Sequence, residues 1–522
     1  MCFMLHKFFL WFVSFFGMLS VFGIVLGYLH LIYAQLSFLV IVFCAVVSYF
    51  VAKRFKGVKI RYSRQLALIL LGLLALDVYV SLPYLIYPHS YVDFGLNVAQ
   101  ARLVTQTQGF PSFAHVYPNV YYGVFSLFNS IVLHAYSMSS VIAIVMQVMT
   151  AFAVFLIGRA MFSEKVGLIA SFLYGFSLVN ILLLEQGYLT QNFATFFFAS
   201  SMYLVIMCSK NRTYAVPLVL SLVGLVSYPH HFAIMFFAIF IYFRSLLKYL
   251  LAALFLLLPE IAGMFIYYAT HVEGLANSFV MLGGILVPNV FVLSVFLLAL
   301  FGFRDAVGKE KSCAIVRFVY VLGGVMGVFL VLFLVNKYVY TWRVPDTRQL
   351  YIVVKLLYLS LVPVSVLAAL YIRKCINRHS IIVVVFAVLY FTFFVNYSLI
   401  LSQKNNLPPE VYLSSEFLSQ LGNNSSVGFD EDMLQYTWNQ PWIYDTLYGQ
   451  EDNFTMFSDW ELGFLLQSHW AKKDGQDHYR SGYASDVPYT REGVDYFVTM
   501  SDYLDEDVCY SLGELRVYDL RG

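Results

Sequence analysis

The sequence predicts a polytopic α-helical membrane protein with an extracytoplasmic α/β domain at its C-terminal end. Of the 522 residues, 60% are hydrophobic and only 12% are charged, whereas soluble proteins contain about 25% charged residues. Apolar runs of about 20 residues, the length that a helix needs to cross a bilayer, recur over most of the chain. Lipid offers the backbone no hydrogen-bond partners, so these runs are expected to be helices.

Basic loops predict the orientation, because Lys and Arg accumulate on the cytoplasmic side of membrane proteins. The densest basic stretch, KRFKGVKIRYSR, spans residues 53–64, and shorter ones lie at 209–212, 304–317 and 373–379. Placing all of them inside gives about 13 transmembrane helices, a cytoplasmic N-terminus and a polar tail outside. We therefore expect a multi-pass protein of the cell membrane, in which residues 120–136 form an interfacial helix that does not cross.

Three regions follow from this arrangement. Residues 1–65 hold two N-terminal transmembrane helices and the basic cytoplasmic loop, and residues 66–401 form the transmembrane core with an external loop at 88–138. Residues 402–522 contain 21 acidic and 7 basic residues, and this charge segregation predicts a separate soluble domain. Short β-rich stretches predict strands in that domain, with helical patterns between some of them, at 425–430, 453–457, 494–500 and 514–520.

A polar helical face begins where the third apolar helix leaves the membrane. Asp93, Asn97 and Gln100 recur at helical spacing directly after an apolar run, so they share one face. A carboxylate at the membrane–water boundary can act as a general base or bind a hard divalent cation. The alternative is an N-cap or a solvated acid at a helix start.

The residues around Asp93 resemble the first external loop of the GT-C superfamily of membrane glycosyltransferases. Asp93 is followed by TQGFP at 107–111 and YPNVYYGVFSLF at 117–128. The superfamily has the same order: an acid, a G-x-P element, and an aromatic YP before an interfacial helix. Its members use polyprenyl-phosphate or polyprenyl-diphosphate sugars on the non-cytoplasmic face. The resemblance implies a GT-C-like core and a catalytic role for Asp93, as base or as ligand of Mg²⁺ or Mn²⁺.

A second stretch, LLEQGYLTQNFATFF at 183–197, is similar to the second external loop of that superfamily. The resemblance implies that its single acid, Glu185, is a further metal ligand, and a helix-end carboxylate in the headgroup region is the alternative. The chain departs here from the oligosaccharyltransferase branch, which usually has an acid where this sequence has Thr190 or Gln191.

Two further stretches predict groups that bind the donor phosphate. SYPHHF at 227–232 places His230 and His231 where apolar helices turn, and neutral imidazole can hydrogen-bond a phosphate or a sugar hydroxyl. Arg343 and Arg348 precede a late helix, and guanidinium binds phosphate with paired donors. GT-C enzymes carry similar histidines and a similar arginine, which implies that Arg348 binds the leaving lipid phosphate. The alternatives are a polar break in a helical hairpin and a snorkelling arginine.

Residues in the tail and in the apolar runs complete the set of candidates. FSDWELGF at 457–464 loosely resembles the end of the acceptor-binding WWDYG motif of oligosaccharyltransferases, which implies that Trp460 and Glu461 bind the acceptor. A capping box at Ser458 and Glu461 explains the same spacing. Asp77 and Glu260 lie in apolar stretches, where an ionisable group is costly and is a functional candidate.

The sequence thus predicts a membrane glycosyltransferase, either a hexosyl- or an oligosaccharyl-transferase. It would move a sugar or glycan from a polyprenyl-(di)phosphate donor to a protein, lipid or glycan acceptor on the extracytoplasmic face. The expected metal, if one is needed, is Mg²⁺ or Mn²⁺, and we expect the bilayer but no nucleic acid among its partners. Two alternatives remain: a lipid or solute transporter or flippase, and a non-catalytic subunit of a surface-glycan assembly.

Overall fold

The structure comprises a helical bundle and a six-stranded sheet. It is a computed structural model that describes residues 4–55, 64–86, 97, 101, 104–105, 107–110, 118–131, 135–177, 180, 183–184, 189–261, 290–307, 313–339 and 348–376, together with the six strands. The helices are α1 Met4–Tyr28, α2 Ala34–Lys53, α3 Arg64–Ile86, α4 Val120–Asn129, α5 Ala135–Met161, α6 Glu164–Gly175, α7 Leu189–Lys210, α8 Ala215–Leu225, α9 Pro229–Tyr242, α10 Leu247–Leu256, α11 Val290–Val307, α12 Cys313–Val339 and α13 Arg348–Ile376.

Seven of these helices are long and apolar enough to cross a membrane, or up to eight if the bent pair Pro229–Tyr242 and Arg244–Leu256 is one span. Helices α1, α5, α7 and α13 are mostly buried among other helices, whereas most of α2, α3 and α12 remains uncovered. Their exposed Leu, Phe and Val side chains suit a lipid environment. The chain is therefore a membrane protein. The count of about 13 crossings stays a prediction, because stretches such as 262–289 and 377–424 lie outside the described residues.

The helices of the bundle share two ends. His6 near the start of α1 hydrogen-bonds Tyr203 in the C-terminal half of α7 (2.9 Å), and Arg373 near the end of α13 donates to Ser163, which precedes α6 (2.8 Å). We call this the basal end, and we call the opposite end, where α1 ends and α7 and α13 begin, the distal end. Several basal helix termini carry basic residues in their last turns: Arg159, Lys210, Arg373 and Lys374.

Helix α1 meets two other helices at glycines that allow close approach. A Cβ atom on Gly123 of α4 would lie 2.7 Å from the carbonyl carbon of Gly23. Likewise, a Cβ atom on Gly23 would lie 2.6 Å from the carbonyl carbon of Gly123. One turn and a half further toward the basal end, a Cβ atom on Gly17 would lie 2.6 Å from the Leu220 carbonyl oxygen of α8. Small residues of this kind let helix backbones pack closely inside membranes, so α1 holds α4 and α8 in place.

The strands of the tail form one mixed sheet. They are β1 Ser425–Phe429, β2 Phe454–Ser458, β3 Tyr479–Ser481, β4 Tyr496–Thr499, β5 Val508–Leu512 and β6 Leu515–Asp519. The spatial order is β3-β2-β1-β4-β6-β5. The first four are parallel neighbours, and β6 is antiparallel to both β4 and β5. Strands lie at all four predicted positions. The α/β class stays a prediction, because the connections between the parallel strands lie outside the described part of the chain.

The glycine crossing generates a stability prediction. Gly123→Leu places a side chain where the backbone of α1 now lies, and we expect the free energy of unfolding to fall by about 1–3 kcal/mol or more. Gly324→Leu on α12 is the matched control, because an added Cβ atom there meets nothing within 4 Å. Thermal unfolding in detergent measures both variants. Equal stability of the two proteins would contradict the crossing.

Candidate functional site

The described residues of the external loop pack against α4. Three of them, one helical turn apart, accept hydrogen bonds from side chains of α4, so the loop segment lies along that helix. Asp93 precedes Asn97 by four positions in the sequence and lies outside the described residues. The bonds run from Tyr122, Ser126 and Asn129 to Asn97, Ala101 and Thr105, at 2.9, 2.8 and 3.1 Å respectively.

Aromatic rings join α4 to the start of α7. The Tyr121 ring meets Phe193 edge-on with centroids 5.6 Å apart, and Phe193 also contacts Phe16 of α1, at 6.3 Å. Aromatic pairs of this geometry are worth about 0.5–1.5 kcal/mol beyond their burial. Helix α7 follows the second predicted external loop, so this contact brings the elements next to both loops together at the distal end.

The two histidines lie at the start of α9, next to α7. Pro229 is the first residue of α9, where its missing N–H costs no helical hydrogen bond. His231 Nε2 lies 3.1 Å from Thr195 Oγ1 of α7, and the Tyr228 ring lies 5.4 Å from His230 and 4.9 Å from His231. Nδ1 of each imidazole has no hydrogen-bond partner within the described part of the chain.

The hydrogen bonds around Thr195 determine which nitrogen of His231 carries a proton. Thr195 Oγ1 donates its only hydrogen to the Gln191 carbonyl oxygen, at 2.7 Å. It can therefore only accept from His231, so Nε2 carries the hydrogen. In the neutral ring Nδ1 is then a hydrogen-bond acceptor, available to a hydroxyl group but not to a deprotonated phosphate oxygen.

Lys355 of α13 completes this cluster, and the sequence analysis missed it. Its side chain is 1% exposed and lies close enough to interact electrostatically with His230 and His231. The signal was present in the sequence, because a lysine inside an apolar run is itself a candidate functional group. Lys355 also follows Arg348 by seven residues, a spacing that places both on one helix face.

The other predicted site residues lie wholly or partly outside the part of the chain that the structure describes. Arg348 begins α13 at the distal end, and only its backbone is described. The others lie outside the described residues, so their roles stay predictions: Asp93, Glu185, Arg343, Trp460 and Glu461. Among the residues that are described, no group of three or more His, Cys, Asp and Glu side chains could hold a metal ion. Since both predicted ligands, Asp93 and Glu185, are outside that set, the Mg²⁺ or Mn²⁺ site also stays a prediction.

Glu260 lies at the distal end and has a structural explanation. Its buried carboxylate accepts a 2.7 Å hydrogen bond from the Asn119 N–H, directly before α4, and a 3.1 Å bond from the Tyr28 hydroxyl at the end of α1. A negative charge at this position also interacts favourably with the N-terminus of α4. Glu260 therefore fastens the end of the external loop to α1.

Asp77 lies between α3 and α5, in the middle of both helices. It is fully buried, and its Oδ1 atom accepts a 3.2 Å hydrogen bond from Gln147 Nε2. Its Oδ2 atom has no hydrogen-bond partner in the described parts of the chain. Both acids that the sequence singled out in apolar runs are thus buried polar groups held by side chains or backbone of neighbouring elements.

No protein-family model and no curated protein matches the chain. Solved structures with detectable similarity include those of the oligosaccharyltransferase of Archaeoglobus fulgidus. The crystal structure of its apo form is 13% identical, with a TM-score of 0.36, and the match covers 72% of this chain and 63% of that one. This chain thus spans less than two thirds of the length of that protein.

Two complexes of the same archaeal enzyme give similar values. The complex of oligosaccharyltransferase AglB with an inhibitory peptide and a dolichol-phosphate is 13% identical, with a TM-score of 0.39, and covers 84% of this chain and 70% of that chain. The complex with Zn and sulfate is 14% identical, with a TM-score of 0.39, covering 83% and 67%. TM-scores this low do not establish a common fold, so the family stays a prediction.

The Glu260 contacts generate a second stability prediction. Glu260→Ala leaves the buried Asn119 N–H without its acceptor, and we expect the free energy of unfolding to fall by about 1–3 kcal/mol. Glu260→Gln keeps an acceptor oxygen and should cost less. Asp305→Ala is the control, because it removes only a solvent-accessible ion pair with Lys374 (3.1 Å). Ion pairs of this kind are worth about 0–1 kcal/mol. If thermal unfolding shows Glu260→Ala to be as stable as Asp305→Ala, the fastening role is wrong.

Proposed function

We propose that the chain is a membrane glycosyltransferase that transfers a sugar or glycan from a polyprenyl-(di)phosphate donor to an acceptor on the extracytoplasmic face. One observation carries the proposal: contacts at the distal end join the elements that hold or border the predicted site residues. They lead from the external loop through α4 to α7 and from Thr195 to His231. From there, electrostatic interaction extends to Lys355 of α13, the helix that Arg348 begins. These elements are far apart in the sequence.

The proposed chemistry divides the work between an acid and a set of cations. Asp93 deprotonates the acceptor hydroxyl or holds a divalent cation near the donor phosphate. Arg348 and Arg343, together with His230, stabilise the charge that develops on the leaving phosphate. Such electrostatic stabilisation in a site that excludes water is commonly the largest catalytic contribution.

The tail is proposed to bind the acceptor. Trp460 and Glu461 follow the carboxyl end of β2, which ends at Ser458. In sheets with parallel strands, ligands bind beyond the carboxyl ends of the strands. The cluster of basic helix ends at the basal end supports a cytoplasmic basal end, which leaves the distal end outside with the tail.

The buried Asp77 favours a second candidate, a transporter or flippase. A carboxylate near the middle of membrane-spanning helices, with one oxygen lacking a partner among the described residues, is typical of ion-coupled transport. The two candidates differ in what they do to the donor lipid. A transferase breaks the bond between sugar and phosphate, whereas a transporter moves its cargo intact.

Asp93→Asn in membranes supplied with labelled polyprenyl-linked sugars tests the proposed function. We expect release of the lipid phosphate to fall by about 100-fold or more, because a general base typically contributes at least that factor, while labelled donor still binds. Asp305→Asn, at the basal end, is the matched control and should keep wild-type activity.

Two outcomes would contradict the proposal. Unchanged transfer by Asp93→Asn rules out Asp93 as the base. If the wild-type protein leaves every labelled donor intact but carries an ion flux in liposomes that Asp77→Asn abolishes, the chain is a transporter.

A further inference from the structure

We propose that Lys355 binds the phosphate of the lipid-linked donor, while Nδ1 of His231 accepts a hydrogen bond from a hydroxyl of the attached sugar. This inference rests on the proposed function and adds a residue to it that the sequence analysis did not select. It also separates two roles that the sequence analysis gave jointly to the histidines.

The position of Lys355 supports phosphate binding. The residue lies seven positions after Arg348, which corresponds to about 10 Å along the helix axis and to nearly the same face. Arg348 stands at the distal end, so Lys355 lies two turns deeper on that face, where it is 1% exposed. Helices α9 and α13 are in contact, and the Lys355 ammonium group lies close enough to influence His230 and His231 electrostatically. A phosphate that passes the position of Arg348 therefore reaches the ammonium group next.

The hydrogen-bonding capacity of the two side chains separates their roles. An ammonium group has three donors and no acceptor, which suits an anion, and charge-assisted bonds to phosphate are about twice as strong as neutral ones. The Nε2–H group of His231 donates its hydrogen bond to Thr195, so the neutral ring offers a ligand only the Nδ1 acceptor. Phosphate oxygens without hydrogen cannot bond to that atom, but a sugar hydroxyl can.

The two groups also belong to one buried cluster, as binding of a single substrate requires. In a polyprenyl-phosphate sugar the phosphate is bonded directly to the first sugar ring, so its phosphate and hydroxyl groups are neighbours. The Lys355 ammonium group lies close enough to the His231 ring to influence it electrostatically. The cluster therefore offers a cation for the phosphate and a hydrogen-bond acceptor for a hydroxyl of the attached sugar.

A purely structural role for Lys355 makes the opposite prediction for two substitutions. If the aliphatic stem only fills space, Met replaces it well and the larger, charged Arg disturbs the packing. If the charge binds phosphate, Arg retains binding and Met loses it. The order of the two variants therefore distinguishes the roles.

The experiment uses the full chain in lipid nanodiscs and measures the binding of two kinds of probe. Farnesyl phosphate reports on phosphate binding alone, and a panel of hexoses linked to farnesyl phosphate reports on the sugar as well. The variants are Lys355→Met, Lys355→Arg and His231→Gln. Gln keeps a donor near the Nε2 position but has no atom equivalent to Nδ1. Lys374→Met, on the same helix at the basal end, is the control.

We expect Lys355→Met to weaken binding of farnesyl phosphate about 10-fold or more, because bonds to charged groups are worth that factor. Lys355→Arg should bind more tightly than Lys355→Met, and Lys374→Met should match the wild type. His231→Gln should bind farnesyl phosphate normally but bind a recognised sugar-bearing probe about 2- to 10-fold more weakly.

Several results would overturn the inference. The phosphate role fails if Lys355→Met binds farnesyl phosphate as tightly as the wild type or as tightly as Lys355→Arg. It also fails if neither Lys355 variant folds. The hydroxyl role fails if His231→Gln weakens both kinds of probe equally, or if no sugar improves wild-type binding. If the wild type binds no farnesyl phosphate and cleaves no labelled donor, the proposed function itself fails.

Discussion

Polar groups buried in an apolar bundle must find hydrogen bonds inside the protein, because neither lipid nor apolar side chains supply them. This constraint determines the arrangement of the distal end. Glu260 receives the Asn119 N–H and the Tyr28 hydroxyl, and Thr195 lies between the Gln191 carbonyl and His231. Each set of bonds joins separate segments of the chain. The same bonds that satisfy these groups therefore hold the external loop, α1, α7 and α9 in register.

Close backbone packing makes this arrangement possible. Helix α4 is only 10 residues long, too short to cross a bilayer, and it is buried almost throughout. It reaches α1 at Gly23 and Gly123, where neither residue has room for a Cβ atom. From that crossing its tyrosines extend in two directions, Tyr122 to the external loop and Tyr121 to Phe193 of α7. A short buried helix thus connects the predicted catalytic loop with α7, which in turn contacts His231 of α9.

The sequence predicted those features that depend on local composition. Apolar runs predicted the membrane helices, and β-rich stretches predicted four strands, but β3, only three residues long, is too short to show a pattern. Residues 120–136 were expected to form an interfacial helix that does not cross, and this position in the bilayer stays a prediction. The burial of α4 against other helices was not predicted, because aromatic contacts with other helices cannot be recognised from one segment. His230 and His231 were recognised by their polarity at a helix turn. Lys355 was overlooked within its apolar run, and the tautomer of His231 depends on Thr195, 36 residues away.

The central claim is that residues distant in the sequence meet at one donor site at the distal end. An experimental structure of the full chain with bound farnesyl phosphate tests it most directly. The account predicts the phosphate next to the Lys355 ammonium group, with Asp93 and Arg348 facing the same hollow. A phosphate bound elsewhere, or Asp93 and Arg348 on opposite sides of the membrane, would contradict it.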